Sequence, residues 1–349
     1  MTARFLKPLL VVGILFSGWG VAGLIDQANV PYDGLHSAPD HTINQVRDGS
    51  PAAAAGLVVG DRLVRINGIS VEDTPGLTRM PRAAIGETRT LVVEDGASGA
   101  TREVSITYAQ QPPRQRALGW AGFMVGLCFV WLGLLAYSRA PGTASLLLAL
   151  TGLCLGLTFL HAPYIASPVL RAVVQAISLI VIVMGFATLL HTLATFPERK
   201  RILDRPVMTL VLYAPAVVIA TLFALIHLFE PAGTASLLTF VNAMVGLLIA
   251  GYFILTVVAL LHSYVRASSQ DRERWGLNLL LAGVLVGLGP VTIAALVGIV
   301  APRAKLPGSD FYSLTLVLVP VTLALAVMRA APDARRQPAG VTPLASVRR

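Results

Sequence analysis

The chain has 349 residues, of which 55% are hydrophobic and only 13% are charged. A soluble domain carries about 25% charged residues, so this composition excludes an ordinary soluble protein. The formal net charge is +9 at pH 7, but many of the basic residues flank or connect apolar blocks, so the charge does not indicate a nucleic-acid partner. The two cysteines, Cys128 and Cys154, lie inside apolar blocks and indicate neither a disulfide framework nor a zinc site.

The first element is an apolar run over residues 8–25, which follows Arg4 and Lys7. Its length is close to the roughly 20 residues that cross a bilayer. Basic residues before an apolar run are also typical of a signal peptide, but no convincing small-x-small cleavage site follows. The sequence therefore favours an uncleaved transmembrane anchor over residues 1–25, with a cleaved signal peptide as the alternative.

The second element is a polar, turn-rich segment, residues 26–116, whose clearest part is DGSPAAAAGLVVGDRLVRINGISVED. Ser50 is a good helix N-cap, and Pro51 stands at the first helical position, where its missing N–H costs nothing. Gly56 suits the left-handed residue that ends a helix, and Asn67-Gly68 is a strong hairpin signal. This stretch, which follows S-P-A-x-x-A-G-L-x-x-G-D-x-[IL]-x-x-[IV]-N-G, resembles the core of a PDZ domain.

The resemblance implies an α+β domain that binds an extended peptide as an added strand at a sheet edge beside a helix. It places this edge strand at residues 41–46 and carboxylate-binding amides in the preceding loop, 34–37. The predicted groove residues are Gly34, Leu35, His41, Thr42, Ile43, Asn44 and Val46. Pro75 and Pro81 leave room for only a short flanking helix. A peptide groove and a purely architectural or protein-docking role both remain open.

Seven more apolar blocks follow, at about residues 117–137, 143–162, 167–196, 207–229, 235–263, 276–301 and 311–329. Their lengths predict a polytopic α-helical membrane protein with about eight transmembrane helices. The predicted plan is an anchor (1–25), an extracytoplasmic PDZ-like domain (26–116) between helices 1 and 2, a seven-helix bundle (117–330) and a disordered basic cytoplasmic tail (331–349) that lies against anionic headgroups.

The distribution of Lys and Arg predicts the orientation, because cytoplasmic loops are enriched in both. Alternate connections and the tail carry thirteen such residues, whereas the other short connections carry three. The nine arginines of residues 26–116 do not contradict this pattern, because long translocated domains are exempt from the rule. We expect a bacterial inner (plasma) membrane, with both termini cytoplasmic and the PDZ-like domain periplasmic or extracellular. The thirteen are Arg139, Arg199, Lys200, Arg201, Arg205, Arg266, Arg272, Arg274, Arg329, Arg335, Arg336, Arg348 and Arg349; the three are Arg171, Arg303 and Lys305.

Glycines spaced four residues apart predict that the helices pack closely, because small residues let two backbones approach. The pairs are Gly122 with Gly126, Gly152 with Gly156, and Gly283 with Gly287. Prolines inside three of the apolar blocks are compatible with this packing, since neighbouring helices can satisfy the carbonyls that a kink frees.

The known intramembrane proteases need motifs that these blocks lack. A zinc-dependent site-2 protease needs His-Glu-x-x-His, so that two imidazoles on one helix face hold zinc beside a general base. That spacing is absent, and no Asp or Glu stands in the middle of an apolar block. Ser17 and His191 offer a rhomboid-like pair, but Ser17 is better explained as a small residue at a helix contact. We expect a protein without enzymatic activity and without a cofactor.

Four histidines near helix ends are further ligand candidates, because ionisable residues at membrane depth are often functional. By the predicted orientation, His191 and His262 lie towards the cytoplasm, and His161 and His227 towards the outside. Either pair could ligate haem or a metal ion. The simpler interpretation is a bond from each imidazole to a backbone carbonyl or to the headgroup zone, so a haem-binding, metal-binding or transport function is the weakest hypothesis.

The order of segments resembles the sensor half of ComP-type histidine kinases, which sense peptide pheromones. That module has one helix, an outside PDZ-like domain and seven more helices. Local stretches agree, namely HTLATFP (191–197), DRERW (271–275) and LVPVTLALAV (318–327). In that family the last helix continues into a phosphoacceptor-histidine helix and an ATP-binding domain, whereas no histidine follows His262 here. The resemblance implies a sensor module that works through a separate output partner.

Two functional hypotheses follow. In the first, the chain is a membrane sensor or receptor-like protein, whose PDZ-like domain binds a peptide or protein ligand and whose bundle relays occupancy to a cytoplasmic signalling protein through loops 198–205 or 263–274, or through the tail. In the second, the chain is a membrane scaffold or accessory subunit in envelope protein assembly or quality control. Its PDZ-like domain then docks an envelope protein, while the bundle packs against another membrane protein.

Overall fold

The computed structural model describes residues 4–38, 40–229, 235–300 and 306–336. The helices are α1 (Leu6–Gln27), α2 (Pro51–Ala54), α3 (Thr74–Arg79), α4 (Pro113–Arg139), α5 (Thr143–Gly156), α6 (Pro168–Thr195), α7 (Pro206–Phe229), α8 (Ala235–Arg266), α9 (Ser269–Arg274), α10 (Leu277–Val300) and α11 (Leu318–Arg336). Two 3₁₀ helices, Arg201–Asp204 and Ser309–Val317, precede α7 and α11. The strands are β1 (Pro31–Tyr32), β2 (Leu35–Ser37), β3 (Ile43–Val46), β4 (Arg62–Ile66), β5 (Ile69–Ser70), β6 (Thr88–Glu94), β7 (Thr101–Thr107) and β8 (Ala109–Gln110).

The eight strands of the described residues all belong to a soluble domain between α1 and α4. Its main sheet is antiparallel, with strand order β5-β4-β6-β7. A separate hairpin of β2 and β3 pairs Leu35 with Val46, and it adjoins the main sheet through a bridge between Thr42 and Arg62. The domain has a hydrophobic core of its own, made by Ile43, Ala52, Leu57, Leu63, Val71, Leu91, Val93, Val104 and Ile106.

The turn chemistry predicted for the soluble domain is confirmed. The Ser50 hydroxyl caps α2 by accepting a hydrogen bond from the Ala53 N–H at 3.2 Å. Gly56 follows α2 with φ = +76°, a left-handed conformation in which glycine alone is unstrained. Asn67 and Gly68 have φ values of +49° and +80° between β4 and β5. Positive φ at both central residues is what a type I′ hairpin turn requires.

Seven helical segments among the described residues are long and apolar enough to cross a membrane, namely α1, α4, α6, α7, α8, α10 and Phe311–Ala330. About eight were predicted, and the difference is α5, which has 14 residues. At 1.5 Å per residue, α5 is about 21 Å long, which is shorter than a ~30 Å hydrocarbon core. Beyond α5, Leu160 and His161 lie against Gly20 and Gly23 of α1. The segment from α5 to His161 therefore still connects the two ends of the bundle.

The basic loops lie at the end of the bundle opposite the soluble domain. α4 leaves that domain and reaches the far end at Arg139. α5 returns beside α4, and α6 then runs back along α5, where the Thr151 and Thr192 hydroxyls are 3.3 Å apart. The loop after α6 is thus at the far end, and Lys200 Nζ in that loop donates to Ser263 Oγ of α8 at 2.6 Å. This separation of charge agrees with the pattern used to predict the orientation.

The predicted glycine pairs contact neighbouring helices at every position except Gly122. A Cβ at Gly152 would meet the Phe129 carbonyl of α4, and one at Gly283 would meet the Thr322 side chain. A Cβ at Gly122 would have no atom within 4 Å. Small residues therefore bring α5 against α4 and α10 against α11, whereas Gly122 faces open space.

The end of the chain corrects the predicted boundary of the tail. α11 continues to Arg336, so residues 331–336 are helical rather than disordered. Alanine and arginine, which predominate there, are strong helix formers. The rest of the predicted tail, residues 337–349, lies outside the described residues.

Candidate peptide-binding edge of the soluble domain

The open edge of the β2–β3 hairpin is β2. β3 is bonded on its other side as well, at Ile43, whose N–H donates to the Asp61 carbonyl at 2.7 Å and whose carbonyl accepts from the Gly60 N–H at 2.9 Å. Among the described residues, no backbone hydrogen bond from another segment reaches the outer side of β2. The structure thus moves the edge strand from the predicted 41–46 to Leu35–Ser37.

The hairpin register shows which groups of β2 are directed outward. The Arg47 N–H donates to the Gly34 carbonyl at 3.0 Å, so Gly34 is bonded to the β3 side. Bonded and non-bonded positions alternate in an antiparallel pair. Leu35 therefore directs its N–H and C=O groups away from β3, and His36 directs its groups towards it. The register shifts after His36, but the Ala38 N–H donates to the Thr42 carbonyl at 2.8 Å, so Ser37 between these two bonded positions also directs its groups outward. The outward groups of Leu35 and Ser37 are the ones that an added strand would bond.

The Asp33 side chain already forms a hydrogen bond with one of these outward groups. Its Oδ1 accepts a hydrogen bond from the Leu35 N–H at 3.0 Å, a local arrangement that is common for aspartate in turns. Gly34 between them has φ = +77°, and a Cβ there would collide with Ser50, so only glycine fits. A peptide C-terminal carboxylate placed at this loop would meet the Asp33 carboxylate, whereas an internal peptide segment brings no such charge.

Of the predicted groove residues, the structure brings Gly34 and Leu35 to the open edge. Ile43 is fully buried in the domain core, and Val46 packs against the same core. Asn44 is exposed, but it belongs to the strand that is bonded along both sides. Ser37 belongs to the loop 34–37 predicted to supply binding amides, but it was not among the predicted groove residues, although the period-2 alternation of a strand that begins at Leu35 identifies it as the next outward residue.

His41 and Thr42, the other two predicted residues, lie in the connection from β2 to β3. His41 has φ = +65°. The Thr42 N–H donates to Asp40 Oδ1 at 3.1 Å, and this bond holds the pKa of Asp40 below its ordinary value of 3.8. The two residues shape the hairpin and lie beyond the last outward group of β2.

The predicted short helix after residue 71 is α3. The Asp73 carboxylate caps it by accepting from the Gly76 N–H at 3.0 Å, and Leu77 packs against the domain core. α3 has six residues and ends at Met80, immediately before Pro81. Proline cannot continue a helix at that point, because it lacks the N–H that the next turn needs.

The segment that follows α3 ties the soluble domain to the bundle. Arg82 Nη1 lies 3.1 Å from Asp26 Oδ2 at the end of α1. The Tyr164 N–H, in the connection between α5 and α6, donates to the same oxygen at 3.1 Å. The Arg82 guanidinium also lies over the Tyr164 ring, 4.6 Å from its centroid. These residues line a cavity of about 330 Å³, together with Met80 and Arg171.

The three candidate histidines with described side chains lie in different surroundings. His191 Nδ1 lies 3.0 Å from the Tyr213 hydroxyl of α7, and the His262 side chain is exposed. His161 lies against Gly23 of α1, and the His227 side chain is outside the described part of the structure. Within the described residues, no group of three or more His, Cys, Asp and Glu side chains is arranged to hold a metal ion.

Comparison with known proteins gives the soluble domain a family. Residues 42–95 match the family model of the PDZ domain. Over 67 residues the chain is 42% identical to the Na⁺/H⁺ exchange regulatory cofactor NHE-RF2 of Oryctolagus cuniculus, a match that covers 19% of this chain and 21% of that protein. The chain thus spans about a fifth of the length of this curated relative. No solved structure matches the chain.

Proposed function

We propose that the chain is a multi-pass membrane protein of sensor or receptor type, without enzymatic activity of its own. Its PDZ domain binds an internal peptide segment or a protein partner outside the cytoplasm, and its helix bundle relays this binding to a cytoplasmic partner. The observation that carries the proposal is the open edge of β2, in a PDZ domain whose residue Arg82 is ion-paired to Asp26 at the end of α1.

Insertion in a membrane is supported by the outer surface of the bundle. Val218 of α7 and Leu247 and Val265 of α8 are each more than half exposed. Apolar surface of this extent is unfavourable in water and is covered by lipid in a bilayer. The basic loops at one end support a cytoplasmic location for that end, which puts the PDZ domain on the other side of a bacterial inner membrane.

Binding of a protein or peptide is supported by the family and by the relative. PDZ domains take an extended segment as an added strand through main-chain hydrogen bonds, and β2 offers the outward groups of Leu35 and Ser37. NHE-RF2 is named as a regulatory cofactor, which favours a role in contacts with other proteins. The Asp33 carboxylate favours an internal segment over a free C-terminus, because like charges repel at short distance.

Relay to the bundle requires that the ligand bind two conformations with different affinity. In this proposal, the contact of Asp26 with Arg82 and the Tyr164 N–H is the part of the structure that differs between the two conformations. It joins the segment directly after α3 to α1 and to the α5–α6 connection. A strand added beside β2 could shift this segment and thereby bias the contact.

A membrane scaffold or accessory subunit in envelope protein assembly or quality control is the second candidate. The same ion pair favours it, because a domain fixed to the bundle can dock a partner without any change of conformation. The two functions differ in one observable quantity. A sensor changes the exposure of the Asp26–Arg82 contact when a peptide binds, and a scaffold does not.

The proposal is tested with the full-length protein in lipid nanodiscs and an array of peptides, each prepared as an internal segment and with a free carboxyl end. Ser37→Pro removes one outward N–H of β2, so we expect it to abolish peptide binding. Amide exchange in β6 and β7 serves as the control that the domain is still folded. Unchanged binding by Ser37→Pro, with β6 and β7 protected, would rule out β2 as the binding edge.

A further inference from the structure

A second large site lies at the opposite end of the molecule from the PDZ domain. It is a cavity of about 1090 Å³ between α7, α8 and the loop that follows α6. Sites for small molecules usually measure about 300–1,000 Å³, so this cavity has room for a large ligand. Nothing in the peptide-binding proposal uses it, since its lining comes only from the bundle and its basic end.

The apolar part of the cavity is built from α7 and α8. Val211 of α7 and Leu247 and Leu255 of α8 line it, and all three side chains are also exposed at the surface of the bundle. The cavity therefore opens sideways, onto the surface proposed to face lipid. An apolar chain could enter it from the bilayer without crossing water.

The other part of the cavity carries charge. Arg199, Lys200, Arg201 and Arg266 line it, against the two acidic residues Glu198 and Asp271. Asp271 accepts a hydrogen bond from the Ser268 hydroxyl at 2.6 Å, and Arg199 lies 3.6 Å from Asp204. The net charge of these lining residues is positive. They lie near the end of α8, which is at the level of the lipid headgroups in the proposed orientation.

Lys200 is the basic residue of this lining that the fold encloses most. It is half-buried, and its ammonium donates to the neutral Ser263 hydroxyl at 2.6 Å. Burial lowers the pKa of Lys200 from its ordinary value of 10.5, and only the Coulombic effect of Glu198 opposes this. A partly buried cation is costly unless an anion compensates it. The site therefore has a place for one more anionic group beside Lys200.

We propose that this cavity binds an anionic phospholipid of the cytoplasmic leaflet, with its phosphate at Lys200 and Arg266 and its acyl chains along Val211, Leu247 and Leu255. A phospholipid matches both parts of the lining, because its charge stands at one end of two long apolar chains. A soluble phosphate compound would leave the apolar part empty. The proposal rests on the membrane insertion proposed above, and it is independent of peptide binding at β2.

The test uses the full-length protein, incubated in detergent with phosphatidylglycerol and phosphatidylcholine of identical chains, with bound lipid counted by native mass spectrometry. We expect wild-type protein to prefer phosphatidylglycerol about tenfold, because both lipids carry a phosphate but the quaternary ammonium of phosphatidylcholine offsets its charge and is repelled by the basic lining. Lys200→Gln should reduce the preference to about one. Lys7→Gln removes the same charge from an exposed residue of α1 that does not line the cavity, so it should keep the preference.

Other outcomes contradict the proposal in distinct ways. Equal binding of both lipids, or equal losses in Lys200→Gln and Lys7→Gln, would show that the preference does not arise in this cavity. Competition by inorganic phosphate at millimolar concentration would show a site for a soluble anion. Leu247→Trp fills the apolar part of the cavity, so we expect it to reduce bound phospholipid and to leave peptide binding at β2 unchanged. Undiminished phospholipid binding by this variant would contradict the proposed position of the acyl chains. A protein that alkaline carbonate releases from membranes would instead disprove the insertion itself.

Discussion

Arg82 of the PDZ domain donates from Nη1 to both carboxylate oxygens of Asp26, at 3.1 and 3.2 Å. The two side chains are only 22% and 27% exposed, so water screens this ion pair less than it screens a surface pair. The Tyr164 N–H donates to the same carboxylate. One aspartate therefore joins three separate segments of the chain, and its loss would affect all of them together.

The first prediction concerns this contact. Arg82→Ala should weaken the attachment of the PDZ domain by about 1–3 kcal/mol, because a partly buried carboxylate loses a charged hydrogen-bond donor. Hydrogen exchange of full-length protein should show faster exchange at the Tyr164 amide and in residues 80–88. The core strands β6 and β7 should keep their protection.

Arg62→Ala is the matched control. Arg62 forms an ion pair with Glu72 at 3.4 Å in the same domain, but the two side chains are 49% and 73% exposed. Exposed pairs contribute about 0–1 kcal/mol, so this variant should exchange like the wild type. If both variants exchange alike, the Asp26–Arg82 contact does not hold the domain to the bundle.

The second prediction concerns the choice of peptide. Asp33→Ala frees the outward Leu35 N–H and removes a negative charge from the loop before β2. Peptides with a free C-terminal carboxylate should then bind about tenfold more tightly, while the same peptides with an amidated end should change little. Isothermal titration with the two peptide forms measures the difference directly.

An effect of the domain's net charge on peptide binding must be distinguished from the local effect of Asp33. Asp48→Ala removes the same charge from an exposed residue of the domain and should leave the ratio of carboxylate to amide binding as it is in the wild type. An equal rise in both variants would mean that net charge, and not the Leu35 amide, decides between the two peptide forms.

The third prediction is a dependence on pH in the segment between α3 and β6. Glu87 accepts from Arg89 Nε at 2.8 Å and from the Ala84 N–H at 2.7 Å. The Arg89 bond above all holds the pKa of Glu87 below its ordinary value of 4.5. A carboxylate with a lowered folded-state pKa stabilises the fold above the unfolded-state pKa, and this contribution disappears as the pH falls.

Exchange at the Ala84 amide should therefore accelerate, beyond its intrinsic change, as the pH is lowered from about 6 through 4.5 towards 3. Glu87→Gln keeps the shape of the side chain but cannot titrate, so its corrected exchange should be flat over this range. A wild-type profile as flat as that of Glu87→Gln would show that the ion pair does not stabilise this segment.

The sequence predicted the features that depend on neighbouring residues. The Ser50 cap and the Asn67-Gly68 turn are local, and each is fixed by the chemistry of a few residues. The open edge of the hairpin is not local. It depends on hydrogen bonds between Ile43 of β3 and Gly60 and Asp61, about twenty residues away. No pattern within 34–46 distinguishes a strand bonded on one side from one bonded on both.

The length of α5 was missed for a different reason. Residues 143–162 are mostly apolar and contain no Asp, Glu, Lys or Arg. Such a composition predicts burial, but it does not specify where a helix ends. The helix ends at Gly156, where a Cβ would lie 3.0 Å from the Gly126 carbonyl of α4 and still closer to Val130. Close contact between two backbones sets the geometry there, so tertiary packing overrides the local pattern.

The fourth prediction uses the glycine pairs of the bundle. Gly152→Ala places a methyl group against the Phe129 carbonyl of α4, a backbone atom that cannot move aside without displacing its helix. We expect the thermal stability of the full-length protein in detergent to fall by the equivalent of about 1–3 kcal/mol, as for other overpacked contacts. The loss should appear first as separation of α4 from α5, measured by the distance between spin labels at their ends.

Gly122→Ala adds the same methyl group to another of the predicted pairs, but at a position where a Cβ meets no atom within 4 Å. Alanine is also the better helix former by roughly 0.5–1 kcal/mol, so this variant should be neutral or slightly stabilised. The sequence motif treats both glycines alike, and only the packing separates them. If Gly122→Ala were as damaging as Gly152→Ala, the loss would have to come from a property that both positions share, and the close approach of α5 to α4 could not be its cause.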